Sequence, residues 1–135
     1  MKILFLCEEN SCRSQMAEGI VNSLYFHCCS AKSAGSKITP LDEKAILVMK
    51  EIGIDISQQK SKLVKEFLKE EFDYVITLCG EDAQEACPFF LGKAKNRLHW
   101  AIPNPKGGEI SFYRKIRDEL IQKIGQLCKI KKEDK

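Results

Sequence analysis

A doubly wound α/β fold with a four-stranded parallel sheet flanked by helices is predicted by three observations. Four short apolar runs alternate with helix-like segments along the 135 residues, and that alternation is the pattern of a parallel sheet wrapped by helices. The run from Phe72 to Leu78 is almost continuously apolar, as a strand covered on both faces must be. The length suits one domain spanning residues 1–135.

The first strand is Ile3-Leu4-Phe5-Leu6. It delivers Cys7 to a loop, Glu8-Glu9-Asn10-Ser11-Cys12-Arg13, that runs directly into a helix expected over residues 14–25. Met16, Ile20 and Leu24 form that helix's apolar stripe, with Glu18 beside it. A short strand lies within residues 26–35, ending at Ser33-Ala34-Gly35. His27, Cys28 and Cys29 form no metal site on this reading, because neighbouring strand residues point to opposite faces. Thr39 reads as an N-cap, with Pro40 at the first helical position and Asp42 in the first turn. Leu41, Ala45, Val48 or Met49, and Ile52 would be the buried face, and Gly53 the stop.

A shorter helix follows near residues 63–68, then the apolar strand ending at Cys79. Residues 81–86, between Cys79-Gly80 and Cys87-Pro88, can coil as a short helix. The last strand is expected over residues 98–102, and a rigid-then-flexible loop over 103–108. The final helix, near residues 111–128, presents Phe112, Ile116, Leu120, Ile124 and Leu127 on one face. In open parallel sheets ligands bind beyond the carboxyl ends of the strands. Cys7, Cys79 and the 103–108 loop all fall there.

The chemistry concentrates in the loop from Cys7 to Ser14. Successive backbone N–H groups and the positive end of a helix dipole converge on one point, which suits a tetrahedral oxyanion. Arg13 can fold over the loop and offer a planar fork of donors to two oxygens of that anion. The same field stabilises negative charge on the Cys7 sulfur, and Ser14 is placed to donate to it. The spacing alone is weak, because seven Cys make a Cys–Arg pair six apart a roughly one-in-five accident. The apolar strand before it, the small polar residues within it and the amphipathic helix after it make the pattern specific. The bland alternative is a buried Cys at a strand end and a solvated Arg.

Composition narrows the class. The net charge is only +3, with much of the excess in the tail Lys129-Ile130-Lys131-Lys132-Glu133-Asp134-Lys135, so a nucleic-acid surface is not expected. No apolar run approaches the length of a membrane span, which points to a cytosolic protein. Seven Cys is an odd and high number for such a chain, arguing against a static disulfide framework and for reactive thiols. Cys12 reads as a small buried side chain, His99 and Trp100 as packing around the last strand, and Cys128 as core or an incidental thiol.

The segment Cys7 to Glu18, CEENSCRSQMAE, resembles the active-site loop of the thioredoxin-coupled arsenate reductases, which share the three-layer fold of low-molecular-weight protein tyrosine phosphatases. SAGS at 33–36, GIDIS at 53–57, TLCG at 77–80, Cys87-Pro88 and His99-Trp100 agree in order along nearly the whole chain. The resemblance implies that Cys7 attacks arsenate held by the backbone of Glu8, Glu9, Asn10, Ser11 and Cys12 and clamped by Arg13. It implies that Cys79 then attacks the Cys7 sulfur, releasing arsenite, and that Cys87 resolves the bond as Cys79–Cys87 for external thioredoxin. It further implies a monomer with no bound cofactor.

Three positions depart from the family pattern. Asn104-Pro105 stands where the family has Asp-Pro; Asn cannot give up a proton, so phosphomonoester hydrolysis should suffer more than arsenate reduction. Seven residues separate Cys79 from Cys87, one more than in the reductases. Lys62 stands where some members use an Asp, with residues matching Asn10, Glu18 and Ser33, to hold potassium. The expectation is a Lys62 ammonium in place of the ion, contacting Glu18 and Asn10. Two other functions fit the loop: a low-molecular-weight phosphatase forming a cysteinyl-phosphate at Cys7, and an oxyanion-binding or redox-sensing module without turnover. Cys79 with Cys87 has no task in a phosphatase.

Overall fold

The computed structural model describes residues 1–80 and 87–133. Four strands, β1 (Lys2–Leu6), β2 (Ser30–Ala34), β3 (Glu71–Thr77) and β4 (Lys93–His99), form one sheet in the order β2-β1-β3-β4. Every neighbouring pair is parallel. The order reverses at β1, where the chain goes to one side for β2 and to the other for β3. That reversal opens a crevice at the carboxyl end of β1.

The period-two alternation of β1 splits the core in two. Ile3 and Phe5 face α1 (Arg13–Leu24), α2 (Glu43–Lys50) and α3 (Ile110–Glu133), packing with Met16, Ile20, Val48, Met49, Ile116, Leu120 and Ile124. Leu4 and Leu6 face the other way, onto Phe67, Phe72, Val75 and Phe90. Among the described residues that second face is covered by the single 3₁₀ turn Val64–Phe67 and by Phe90, so the three α-helices share one side of the sheet. The expected helix at 63–68 is this turn. The helix expected at 81–86 lies outside the described residues.

Four boundaries differ from the sequence expectation. α1 ends at Leu24, which is 46% exposed and leaves the stripe that Met16 and Ile20 share. α2 starts at Glu43, with Asp42 as its N-cap in place of Thr39. The Asp42 carboxylate accepts from Lys44 N at 3.0 Å, while Asp42 N donates to Ser11 O at 2.9 Å. Those bonds hold Asp42 extended and keep residues 39–41 in the loop. Ile52, expected in the buried face, is 38% exposed one residue beyond the C-cap Glu51; Gly53 ends the turn at φ +80°, as its lack of a Cβ permits. β4 runs Lys93–His99, upstream of the expected 98–102, and pairs from Glu71↔Lys93 to Thr77↔His99. It is an edge strand, and its lysines and arginine, suited to an unpaired edge, hide it from an apolar-run reading.

Candidate active site

The carboxyl ends of three adjacent strands build the site. β1 hands the chain to Cys7; Leu78 N donates to Leu6 O at 2.8 Å just before Cys79, and Trp100 N donates to Thr77 O at 2.8 Å after β4. Cys7, Asn10, Ser11, Cys12, Arg13 and Ser14 are all buried.

The loop turns at Asn10, which takes φ +52°, a left-handed conformation that Asn tolerates better than most residues. Its side chain explains why it can hold that shape. Asn10 Nδ2 donates to Ser14 Oγ at 2.7 Å, and Asn10 Oδ1 accepts from Lys62 N at 2.8 Å and Gln15 Nε2 at 3.1 Å. The Gln15 amide also reaches Asn10 O and Lys60 O, pinning the loop to the 60–62 segment. Close approach on the other side is allowed by Gly35, where a Cβ would lie 2.6 Å from Glu8 O and 2.7 Å from Cys7 O.

Ser14 Oγ lies 2.9 Å from Cys7 Sγ. Ser14 Oγ accepts from Asn10 and keeps its own proton available to the sulfur, which a Cys7 thiolate would accept. The N-cap of α1 is Cys12, which makes no side-chain cap bond, and the first turn carries no acid. The helix start is thus kept for an anion instead of a side-chain acceptor. Burial, with Asp42 and Cys7 adding to it and Arg13 opposing, pushes the Cys12 thiol well above the usual thiol range. Cys12 is a neutral packing residue.

Arg13 Nη1 donates to Leu78 O at 3.0 Å and Ile102 O at 2.8 Å. One guanidinium therefore ties the anion loop to the segments following β3 and β4. Cys79, 2% exposed, is bonded to Cys87 in a disulfide with Cα atoms 5.7 Å apart; Cys7 is a free thiol.

The remaining expected residues are placed as follows. Asn104 is exposed, and its Oδ1 accepts from Lys106 N at 3.1 Å, closing its own loop. Glu8 and Glu9 point outward: Glu8 pairs with Lys37 at 3.3 Å and Glu9 Oε2 with Lys106 Nζ at 2.8 Å. Their backbone oxygens are held by Ser36, Lys37 and Ser61. Glu18 accepts from Ser33 Oγ at 2.6 Å and Lys62 Nζ at 3.4 Å. The Lys62 ammonium therefore meets Glu18 as expected, whereas Asn10 is met by the Lys62 backbone N–H, because the ammonium's other bond goes to Lys60 O. Among the described residues no three His, Cys, Asp or Glu side chains converge as a metal centre. His99 Nδ1 lies 2.6 Å from Thr77 Oγ1, and Trp100 packs at 6.3 Å from the Phe5 ring.

Sequence reasoning missed Lys106, Gln15 and the Asp42–Tyr113 pair. Tyr113 Oη donates to Asp42 Oδ2 at 2.5 Å, linking α3 through Asp42 to Ser11 of the loop. Burial and this hydrogen bond push the Tyr113 phenol above the tyrosine range. The hydrogen bond to Glu9 likewise holds Lys106 protonated beyond the lysine range. Gln15 alone left a signal, as a polar residue beside an apolar helical stripe.

A cysteine in an anion cradle at the switch point of this sheet defines a phosphatase-like class of protein. The chain belongs to the low molecular weight phosphotyrosine protein phosphatase family, whose model matches residues 2–135. Within that family it is 41% identical over 124 residues to arsenate reductase 2 of Staphylococcus saprophyticus, covering 92% of this chain and 93% of that protein. It superposes on an arsenate reductase in the phosphate binding state with a TM-score of 0.81 at 32% identity. On an arsenate reductase in the oxidized state the TM-score is 0.82 at 31% identity; each match covers 94% of this chain and 95% of the other. No helix among the described residues is long and apolar enough to cross a membrane.

Proposed function

We propose that this chain is an arsenate reductase that works through Cys7, Cys79 and Cys87 and is regenerated by thioredoxin. The observation that carries the reading is the thiol pattern: Cys7 free in the cradle, and Cys79 bonded to Cys87. That is the pattern one turnover of the relay would leave behind.

The relay balances. The Cys7 thiolate displaces a hydroxyl group of arsenate, which leaves as water with a proton taken from solvent, forming a sulfur–arsenic bond. The amides of residues 8–13 and the Arg13 guanidinium hold the remaining oxygens. The Cys79 thiolate attacks Cys7 Sγ, forming a Cys7–Cys79 disulfide while the sulfur–arsenic pair leaves on arsenic, which departs as trivalent arsenite. Cys87 attacks Cys79, freeing Cys7 and forming Cys79–Cys87. A dithiol such as thioredoxin's then reduces that bond. Two electrons enter arsenic and one disulfide accounts for them. Ser14 donates to the Cys7 sulfur when it leaves as thiolate. No bound cofactor is needed, and residues 1–135 act as one cytoplasmic domain and a monomer.

Phosphatase chemistry is the second reading, favoured by the cradle and opposed by Asn104. That residue has no proton to give a leaving alkoxide and is turned to Lys106 N. The test is arsenate-dependent NADPH oxidation with thioredoxin and thioredoxin reductase, with p-nitrophenyl phosphate hydrolysis run alongside. Turnover abolished by each of Cys7→Ser, Cys79→Ser and Cys87→Ser is expected, with negligible ester cleavage. Ester cleavage without arsenate-driven oxidation would make the protein a phosphatase. Neither activity would leave an oxyanion-binding or sensing module.

A further inference from the structure

Three more cysteines meet at the amino end of the sheet, away from the Cys7 loop. Cys28 and Cys29 follow Tyr25, the C-cap of α1, and precede β2, so they sit in a turn and not on alternating faces of a strand. Cys29 Sγ lies 3.6 Å from Cys28 Sγ and 3.6 Å from Cys128 Sγ of α3. Cys29 and Cys128 are 99 residues apart, so only the fold brings them together. The inner pair is dry, at 4% and 1% exposure, while Cys28 is half-buried and gives the pair a way out to solvent.

The chemistry of the cluster selects its ligand. Among the described residues no group of three His, Cys, Asp or Glu, this cluster included, is arranged to hold a metal ion. Burial raises the Cys29 and Cys128 thiols, so cations that bind thiolate are poorly served. Arsenous acid is a neutral solute that condenses with neutral thiols, and two sulfurs in van der Waals contact suffice for it.

We propose that Cys29 and Cys128 form a second thiol site that captures trivalent arsenic, with Cys28 as the thiol that receives it from solvent. Overall, As(OH)3 and two thiols give (RS)2AsOH and two waters. Each arsenic–oxygen bond broken is replaced by an arsenic–sulfur bond, each thiol proton leaves as water, and no electron moves. Cys28 forms the first such bond and passes arsenic to Cys29 and Cys128 by exchange, recovering its proton. The choice of arsenic rests on the function proposed above, since this ligand is that reaction's product, but capture itself needs no turnover.

The test adds arsenite directly to the native protein with Cys79–Cys87 oxidised, which removes that pair as a competing dithiol. Arsenic retained after gel filtration is counted by mass spectrometry. Slow labelling by a small thiol reagent, mapped on peptides, shows which thiols it covers. One arsenic per chain is expected, shielding Cys29 and Cys128. Cys29→Ala or Cys128→Ala should weaken retention by about 100-fold, the loss of the second, intramolecular bond. Cys28→Ala should slow uptake at unchanged stoichiometry. No retained arsenic, or arsenic that shields Cys7 and Cys12 instead, would overturn the proposal. The labelling map needs no variant, so a misfolded mutant cannot decide the matter, and a failed reductase assay leaves the map unaffected.

Discussion

Ser14 joins Asn10 to the Cys7 sulfur. Its hydroxyl accepts from Asn10 at 2.7 Å and faces Cys7 Sγ at 2.9 Å, so Ser14→Ala removes a donor from the sulfur with little change in volume. Turnover is expected to fall about tenfold, the worth of one hydrogen bond to a charged group, and the thermal midpoint to drop as well, because buried Asn10 Nδ2 loses its acceptor at a cost of about 1–3 kcal/mol; steady-state rates and a melt of the same sample check both. Arg13 is less forgiving. One nitrogen of its planar head spans Leu78 O and Ile102 O, and a lysine ammonium, a single nitrogen, has no second one with which to grip two oxygens of an anion. Arg13→Lys should lose roughly 100-fold or more in turnover, together with competitive inhibition by inorganic phosphate. Retained phosphate inhibition would show that the loop amides alone hold the anion. The grouping of Cys7, Arg13 and Ser14 was legible in the sequence because a strand, a loop and a helix start are consecutive. Lys106 was not, since its bond to Glu9 joins residues 97 positions apart.

The element with the clearest lever is α2. Asp42 caps it, binds Ser11 O through its backbone and accepts from Tyr113, so helix start, the loop after β1 and α3 share one residue. Asp42→Ala should cost about 1 kcal/mol from the cap alone, read as a lower urea midpoint. Asp42→Asn should recover most of it, because an amide oxygen still caps. Here the sequence misled for a definite reason: Thr39-Pro40 is a good local start, but a contact to a distant loop outweighed it. β4 was displaced for the complementary reason. Lys93, Lys95 and Arg97 suit an exposed edge, and an edge strand need not advertise itself by apolar residues. β1, β3 and α3 were legible because burial on one or both faces writes a period into the chain.

At the scale of the molecule, buried thiols link stability to pH. Cys12, Cys29 and Cys128 all hold their protons more tightly when folded, whereas in the unfolded chain thiols ionise near about pH 8.5. Above that value the native state binds more protons than the unfolded one, so stability declines as pH rises further. Urea midpoints under reducing conditions should therefore be flat from neutrality to about pH 8 and fall beyond it. The fall should be shallower in Cys128→Ala; an equal slope there would show that these thiols do not carry the effect. The thiol cluster was invisible in the sequence because Cys28 and Cys29 looked like strand residues and Cys128 had no evident partner.

The parallel pairing of β1 with β3 has a further consequence. Adjacent strands run about 4.8 Å apart, and a disulfide bridges Cα atoms about 4.4–6.8 Å apart. Leu6 pairs with Thr77, and Cys7 and Cys79 lie one and two positions past that pair, so the sheet works as a spacer that sets the two thiols of the proposed relay about one strand spacing apart.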